Sequence, residues 1–228
     1  MAAMARILNL ETATTNCSVS ISDGDTVVFL KENNAMEYSH SEQLHIFIKE
    51  ALQGASLSFS DLDAVSVSKG PGSYTGLRIG VSAAKGLCFS LDLPLISIPT
   101  LESMAHQVTL KGDGLIIPVL DARRMEVYSA VFDADHQEIR ETKAEIITED
   151  SFGEYTAHKE VHIVGSGAQK CKDLLQHPNF RFDVSITPSA NEMAQLAHKK
   201  YEAGHFEDVA YFEPYYLKDF VLQGKKKA

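Results

Sequence analysis

The 228-residue sequence predicts an α/β fold of two similar lobes, and two observations carry that prediction. Strand and helix patterns over the first hundred residues follow the order β-β-β-α-β-α-β, an alternation that builds a mixed sheet covered by helices. Shifting the chain by 110 residues lays Ile7, Leu10, Glu11, Ile21, Asp23 and Asp25 over Ile117, Leu120, Asp121, Val131, Asp133 and Asp135, so the opening motif recurs. In both copies an apolar strand ends in a carboxylate, a polar segment follows, a second strand returns, and an acidic turn leads to a third strand. Six matches in so short a window also fit two unrelated hairpins, and at this level both readings stand. The division is drawn at 1–109 and 110–228.

Arg6 to Glu11, Cys17 to Ile21 and Thr26 to Lys31 read as short strands separated by the polar turns Thr14 to Asn16 and Asp23 to Asp25. Ser39 and Glu42 stand at capping-box spacing, and Leu44, Phe47, Ile48, Ala51 and Leu52 then share one helical face, so Ser39 to Leu52 is predicted as an amphipathic helix. Leu62 to Ser68 returns to strand character. After a glycine-proline turn, Thr75 to Leu91 reads as a second helix, and Leu95 to Ile98 as a strand. In the second half Val161 to Val164 is a buried strand, Gly165-Ser166-Gly167 a turn, and Ala168 to Gln176 a helix stopped by Pro178. Ser189 to Ala203 is a helix that Gly204 stops. The tyrosine-rich Tyr211 to Leu217, which contains Pro214, reads as an extended segment packed on the surface.

Hydrophobic residues at 44% and charged residues at 23% supply the apolar surface of an ordinary globular core and exclude general disorder. The longest apolar runs, such as Leu115 to Leu120, fall far short of the ~20 residues of a membrane helix, and Met1 to Arg6 opens no signal-peptide pattern. A cytoplasmic protein is expected. Cys17, Cys88 and Cys171 are odd in number, far apart and without a CxxC pair, which predicts buried reduced thiols. A net charge of −10 opposes a polyphosphate partner, because nucleic-acid affinity comes from Lys and Arg neutralising phosphates. The one cationic run, Lys225 to Lys227, reads as a solvated end.

The most unusual local sequence is Lys69-Gly70-Pro71-Gly72-Ser73-Tyr74-Thr75-Gly76-Leu77-Arg78, between a strand and a helix. Phosphate loops occupy such places, because helix N-termini present unpaired N–H groups. The Gly70, Gly72, Gly76 spacing nevertheless misses the dinucleotide fingerprint by one residue, and no GxxxxGK[ST] occurs. The same helix repeats Gly72, Gly76, Gly80 and Ala84 every four residues, which keeps them near one face. Glycine inside a helix costs ~1 kcal/mol against alanine, so the stripe predicts close approach of another backbone. That backbone belongs either to the chain's own sheet or to a partner.

Glu11 and Asp121 are the natural candidates for catalysis, but nothing beside them completes a site. The following Thr12, Ala13, Thr14 and Thr15 suit a capped turn. His40 with His45, and His158 with His162, form no HExxH, and Ser73 has no GxSxG elbow. Catalytic, cofactor and metal residues are therefore all expected to be absent.

Taken together, Ile7 to Ile21 (ILNLETATTNCSVSI), His40 to Leu44 (HSEQL), Lys69 to Arg78 (KGPGSYTGLR) with Gly80 to Ala105, and Asp121 to Tyr128 (DARRMEVY) closely resemble the bacterial TsaB family. The resemblance covers about the first 130 residues and thins beyond Ala130. It implies a duplicated actin-like fold (ASKHA, ribonuclease H-like), and a scaffold role in transferring a threonylcarbamoyl group to N6 of adenosine 37 in tRNA. The implied partners are a TsaD-like catalytic subunit, which carries the metal, and a TsaE-like ATPase. Contact with tRNA is expected to be indirect, and two copies are expected to pair when the partner is absent. The catalytic relative carries an HxxxH metal motif where this chain has Leu101 and Ala105, neither of which can ligate a metal. A helical partner interface is expected from His40, Leu44, Phe47, Gly72, Tyr74, Gly76, Arg78, Gly80 and Ala84. The alternatives are an actin-like ATPase or kinase using Glu11, Asp121 and the Gly165 to Gly167 turn, and a degenerate metallopeptidase.

Overall fold

The structure, a computed structural model, describes residues 4–34 and 40–218. Ser39 and Lys225 to Lys227 lie outside them. The first sheet is built from β1 (Arg6–Glu11), β2 (Asn16–Asp23), β3 (Thr26–Asn34), β4 (Ala64–Gly70) and β5 (Leu95–Pro99), in the order β3-β2-β1-β4-β5. Between them run α1 (His40–Gly54) and α2 (Tyr74–Leu91), and α3 (Thr100–Ala105) follows. The second sheet holds β6 (Leu115–Asp121), β7 (Glu126–Asp133), β8 (Glu138–Ile146), β9 (Val161–Val164) and β10 (Phe180–Asp183), with α4 (Ala168–Leu174) between the last two strands and α5 (Ala190–Glu202) after them.

The second sheet has the order β8-β7-β6-β9-β10, the same topology as the first. In each, an antiparallel meander of three strands is followed by parallel strands laid on the other side of the first. The 110-residue sequence offset is therefore a duplication of topology, and the chain has the two-lobe actin-like α/β fold. The sequence reading lacked α3 and β10, six and four residues long. Elements this short carry less than two turns, or two pleats, of periodic signal.

Alternation along β1 and β2 sends side chains to both faces of the first sheet. Leu8, Leu10, Cys17, Val19 and Ile21 meet α1 and α2 in one cluster. Ile7, on the opposite face with Ala64, Ile96 and Ile98, meets Ala190, Met193, Leu196 and Ala197 of α5. Burial of Met193 and Leu196 contributes roughly 1.5–3 kcal/mol each. The N-terminus of α5 sits on the hydroxyl row of β2: the Ala190 N–H donates to Ser18 Oγ (3.0 Å), and Ser20 Oγ donates to Ala190 O (2.7 Å). Glu32 completes this seat by accepting from Ser18 Oγ at 3.0 Å and Ser189 Oγ at 2.8 Å. So α5, which follows residue 110, covers the first sheet, while α3, which precedes it, packs Leu101, Met104 and Ala105 on Ile116, Leu120 and Phe132 of the second. No helix among the described residues is long and apolar enough to cross a membrane.

Candidate partner-docking face

Two rows of residues at four-residue spacing run along α2. Gly72, Gly76, Gly80, Ala84 and Cys88 form one; Arg78, Ser82, Gly86 and Ser90 form the other. An offset of two residues turns a helix by about 200°, so the rows lie on opposite sides. In the first row Gly76, Gly80, Ala84 and Cys88 are buried, whereas all four members of the second are exposed.

The turn after β1 fills the space beside the buried row. A Cβ on Gly72 would stand 2.4 Å from Ala13 O, on Gly76 2.2 Å from Thr12 O, and on Gly80 2.2 Å from Thr12 Oγ1. Thr12 Oγ1 donates to Gly76 O (2.8 Å), and the Ser73 N–H donates to Ala13 O (2.6 Å). Ser73 caps the helix by accepting from the Gly76 N–H at 3.3 Å. The glycines thus admit carbonyl oxygens of the same chain, and an anion approaching Gly72 or Gly76 from that side would meet like charge. Of the residues expected at the interface, Gly72, Gly76, Gly80 and Ala84 pack against their own lobe. His40, Leu44 and Phe47 are likewise buried. His40 Nε2 lies 2.6 Å from Thr14 O, pinning the start of α1 to the same turn, and burial holds its pKa below the usual imidazole value. Of the residues expected at the interface, Arg78 is exposed and Tyr74 half-buried.

Glu11 lies beneath this turn, fully buried. Its Oε1 accepts from the Ala13 N–H (2.5 Å) and from Ser68 Oγ (2.9 Å), while Oε2 has no hydrogen-bond partner among the described residues. Burial outweighs these bonds and raises its pKa to about 7. Asp121, its counterpart in the second lobe, is exposed and paired with Lys170 at 3.0 Å. The glycines of the Gly165 to Gly167 turn are filled from their own chain: a Cβ on Gly165 would stand 2.5 Å from Val119 O, and on Gly167 2.9 Å from Val127 Cγ1. Leu101 and Ala105 are fully buried in hydrocarbon, so the residues at these positions do not fit a metal. His106 beside them stacks on His136 with ring centroids 4.3 Å apart. Among the described residues, no three His, Cys, Asp or Glu side chains gather as metal ligands do. Cys17, Cys88 and Cys171 are free and buried, with thiols pushed up to about 11, 11 and 12.

The outer sides of α1 and α2 enclose an open groove of ≈ 760 Å³, whose walls include Ser41, His45, Arg78, Ser82, Ala83 and Gly86. Among the described residues, the Cβ position of Gly86 has nothing within 4 Å. Close by in sequence on the same helix, Phe89 is 86% exposed, and Ile46 of α1 is 54% exposed. Sequence reasoning missed Ser82, Gly86 and Phe89, and read Ala83 only as a neighbour of the first row. For Ser82 and Gly86 the signal was the second four-residue row, which carries small residues at Ser82, Gly86 and Ser90.

The TsaD family, described as tRNA N6-adenosine threonylcarbamoyltransferase, matches residues 34–226. The tRNA threonylcarbamoyladenosine biosynthesis protein TsaB of Escherichia coli (strain K12) is 32% identical over 96% of this chain and 97% of its own length. TsaB of Haemophilus influenzae is 29% identical, with 96% of each chain covered. Among solved structures, a Pseudomonas aeruginosa protein described as similar to peptidase YeaZ superposes with a TM-score of 0.81 at 23% identity, covering 94% of this chain and all of its own. With full-length coverage at this identity, the chain belongs to the TsaB (YeaZ-like) family.

Proposed function

We propose that this chain acts in tRNA threonylcarbamoyladenosine biosynthesis as a non-catalytic subunit that docks on a TsaD-like catalytic subunit through the outer faces of α1 and α2. The observation that carries this reading is the exposed row Arg78, Ser82, Gly86 and Ser90, flanked by Phe89, which the chain's own packing leaves uncovered. Small residues let the backbone of a facing helix approach closely, and an isolated exposed aromatic ring is a typical anchor for a partner pocket. Glu11, the carboxylate best placed for chemistry, is sealed under Thr12 and Ala13, which favours assigning the reaction to another subunit. A TsaE-like ATPase completes the machinery, and a net charge of −10 assigns most tRNA contact to the other components. Without its partner, the same face pairs two copies of the chain.

Reconstitution of the tRNA modification, leaving out one component at a time, tests this. Product is expected only when this chain and the catalytic subunit are both present. Product formed by this chain alone, or an undiminished yield without it, would overturn the proposal.

A further inference from the structure

The segment after α5 crosses both lobes as a strap. Lys85 Nζ donates to Ala210 O (3.1 Å) and Phe212 O (2.8 Å), and the Tyr215 N–H donates to Lys69 O (2.7 Å). At its far end Lys218 pairs with Glu126 and reaches Ala122 O at 3.4 Å. Anchored at both ends, the strap sets the Tyr216 ring against Tyr74, with centroids 5.0 Å apart. Arg78 contacts both: its guanidinium carbon lies 4.5 Å from the Tyr74 ring centroid, and its Nε donates to Tyr216 Oη at 3.2 Å. Arg78 also lines the groove, where it is the one lysine or arginine among the described residues. Among the described residues no carboxylate lies within ion-pair distance of it.

An exposed arginine ordinarily samples many rotamers. Here one tyrosine ring lies under the guanidinium and the other tyrosine occupies Nε, leaving the terminal nitrogens to present a fork that matches a carboxylate. We propose that Arg78 is the charge anchor of the docking face, receiving an aspartate or glutamate on a helix of the catalytic subunit, and that the strap fixes Arg78 for that purpose. This rests on the docking reading above. A protein carboxylate fits better than a nucleic-acid phosphate, because one arginine among hydroxyl and apolar groups is not the basic patch that a polyanion needs.

The test is the affinity of the full-length chain for the catalytic subunit, measured by calorimetry at low and high salt. Arg78→Gln is expected to weaken binding about 30-fold and to flatten its salt dependence. Arg78→Lys, which keeps charge but not the fork, should recover only part of the loss. Tyr216→Ala removes the clamp and leaves the charge; a two- to fivefold weakening, roughly the worth of an exposed cation–π contact, is expected with helix content unchanged. Ser82→Arg serves as the control for the docking face itself. Wild-type affinity in Arg78→Gln alongside lost binding in Ser82→Arg overturns this inference and leaves the docking reading intact. Full binding by both overturns the docking reading as well. A loss in Arg78→Gln confined to tRNA binding would reassign the fork to phosphate and overturn the inference.

Discussion

The same substitution at two glycines of α2 should have opposite effects. Replacing either by alanine raises helix propensity by ~1 kcal/mol. At Gly86 that gain is uncontested, since the new Cβ meets nothing within 4 Å. A chain of this size then melts about 2–4 °C higher. At Gly76 the new Cβ would stand 2.2 Å from Thr12 O, roughly 1 Å inside van der Waals contact, and the neighbour is backbone. Relief requires α2 to lift from the β1–β2 turn, which strains the bond from Thr12 Oγ1 to Gly76 O and uncovers Glu11. Overpacking of this kind costs ~1–3 kcal/mol, so Gly76→Ala is expected to lose up to about 2 kcal/mol after the propensity gain is subtracted. Chemical denaturation of the two variants beside the wild type measures the contrast. An equal rise in stability at both positions would refute the assignment of inner and outer rows.

Two further predictions concern the first lobe. Glu11 has a folded pKa of about 7, above its unfolded value of 4.5, so the native state holds its proton more tightly. The stability this contributes is complete below pH 4.5 and is lost as pH rises through 7, a change of ~3 kcal/mol. Glu11→Gln should flatten that part of the profile in urea titrations at pH 5 and pH 8, and an unchanged pH dependence would count against a sealed carboxylate. Ser18→Val removes the acceptor of the Ala190 N–H and a donor to Glu32. A loss of about 1–3 kcal/mol, read by denaturation, is expected from the buried Ala190 N–H left unpaired, with faster proteolysis near α5.

Much of this architecture was legible in the sequence because its elements are long and periodic. The alternation in β1 and β2 and the apolar face of α1 needed no tertiary information. The side of α2 that faces inward was different. Both its rows carry small residues, and the choice between them is made by Thr12 and Ala13, some sixty residues away in the chain. Glu11 and Asp121 also look alike in sequence, each closing an apolar strand. Their environments diverge because Ser68 and the Ala13 N–H enclose the first, whereas Lys170 meets the second at an exposed edge. The strap was readable as an extended surface segment, but its grip on Arg78 depends on Lys85 and Lys69 holding its backbone in place. The actin-like character of the fold came from resemblance, and the second sheet's matching strand order bears out the duplication that goes with it.

The central claim is that the outer row of α2 is the face that joins this chain to a catalytic subunit. Ser82 is exposed and lines the groove, so arginine there adds bulk and charge without touching the core. Co-purification of Ser82→Arg with the catalytic subunit, after its own melting temperature has been shown to match the wild type, is the most direct measurement. The account predicts a folded protein that no longer forms the complex. A stoichiometric complex with wild-type affinity would contradict it.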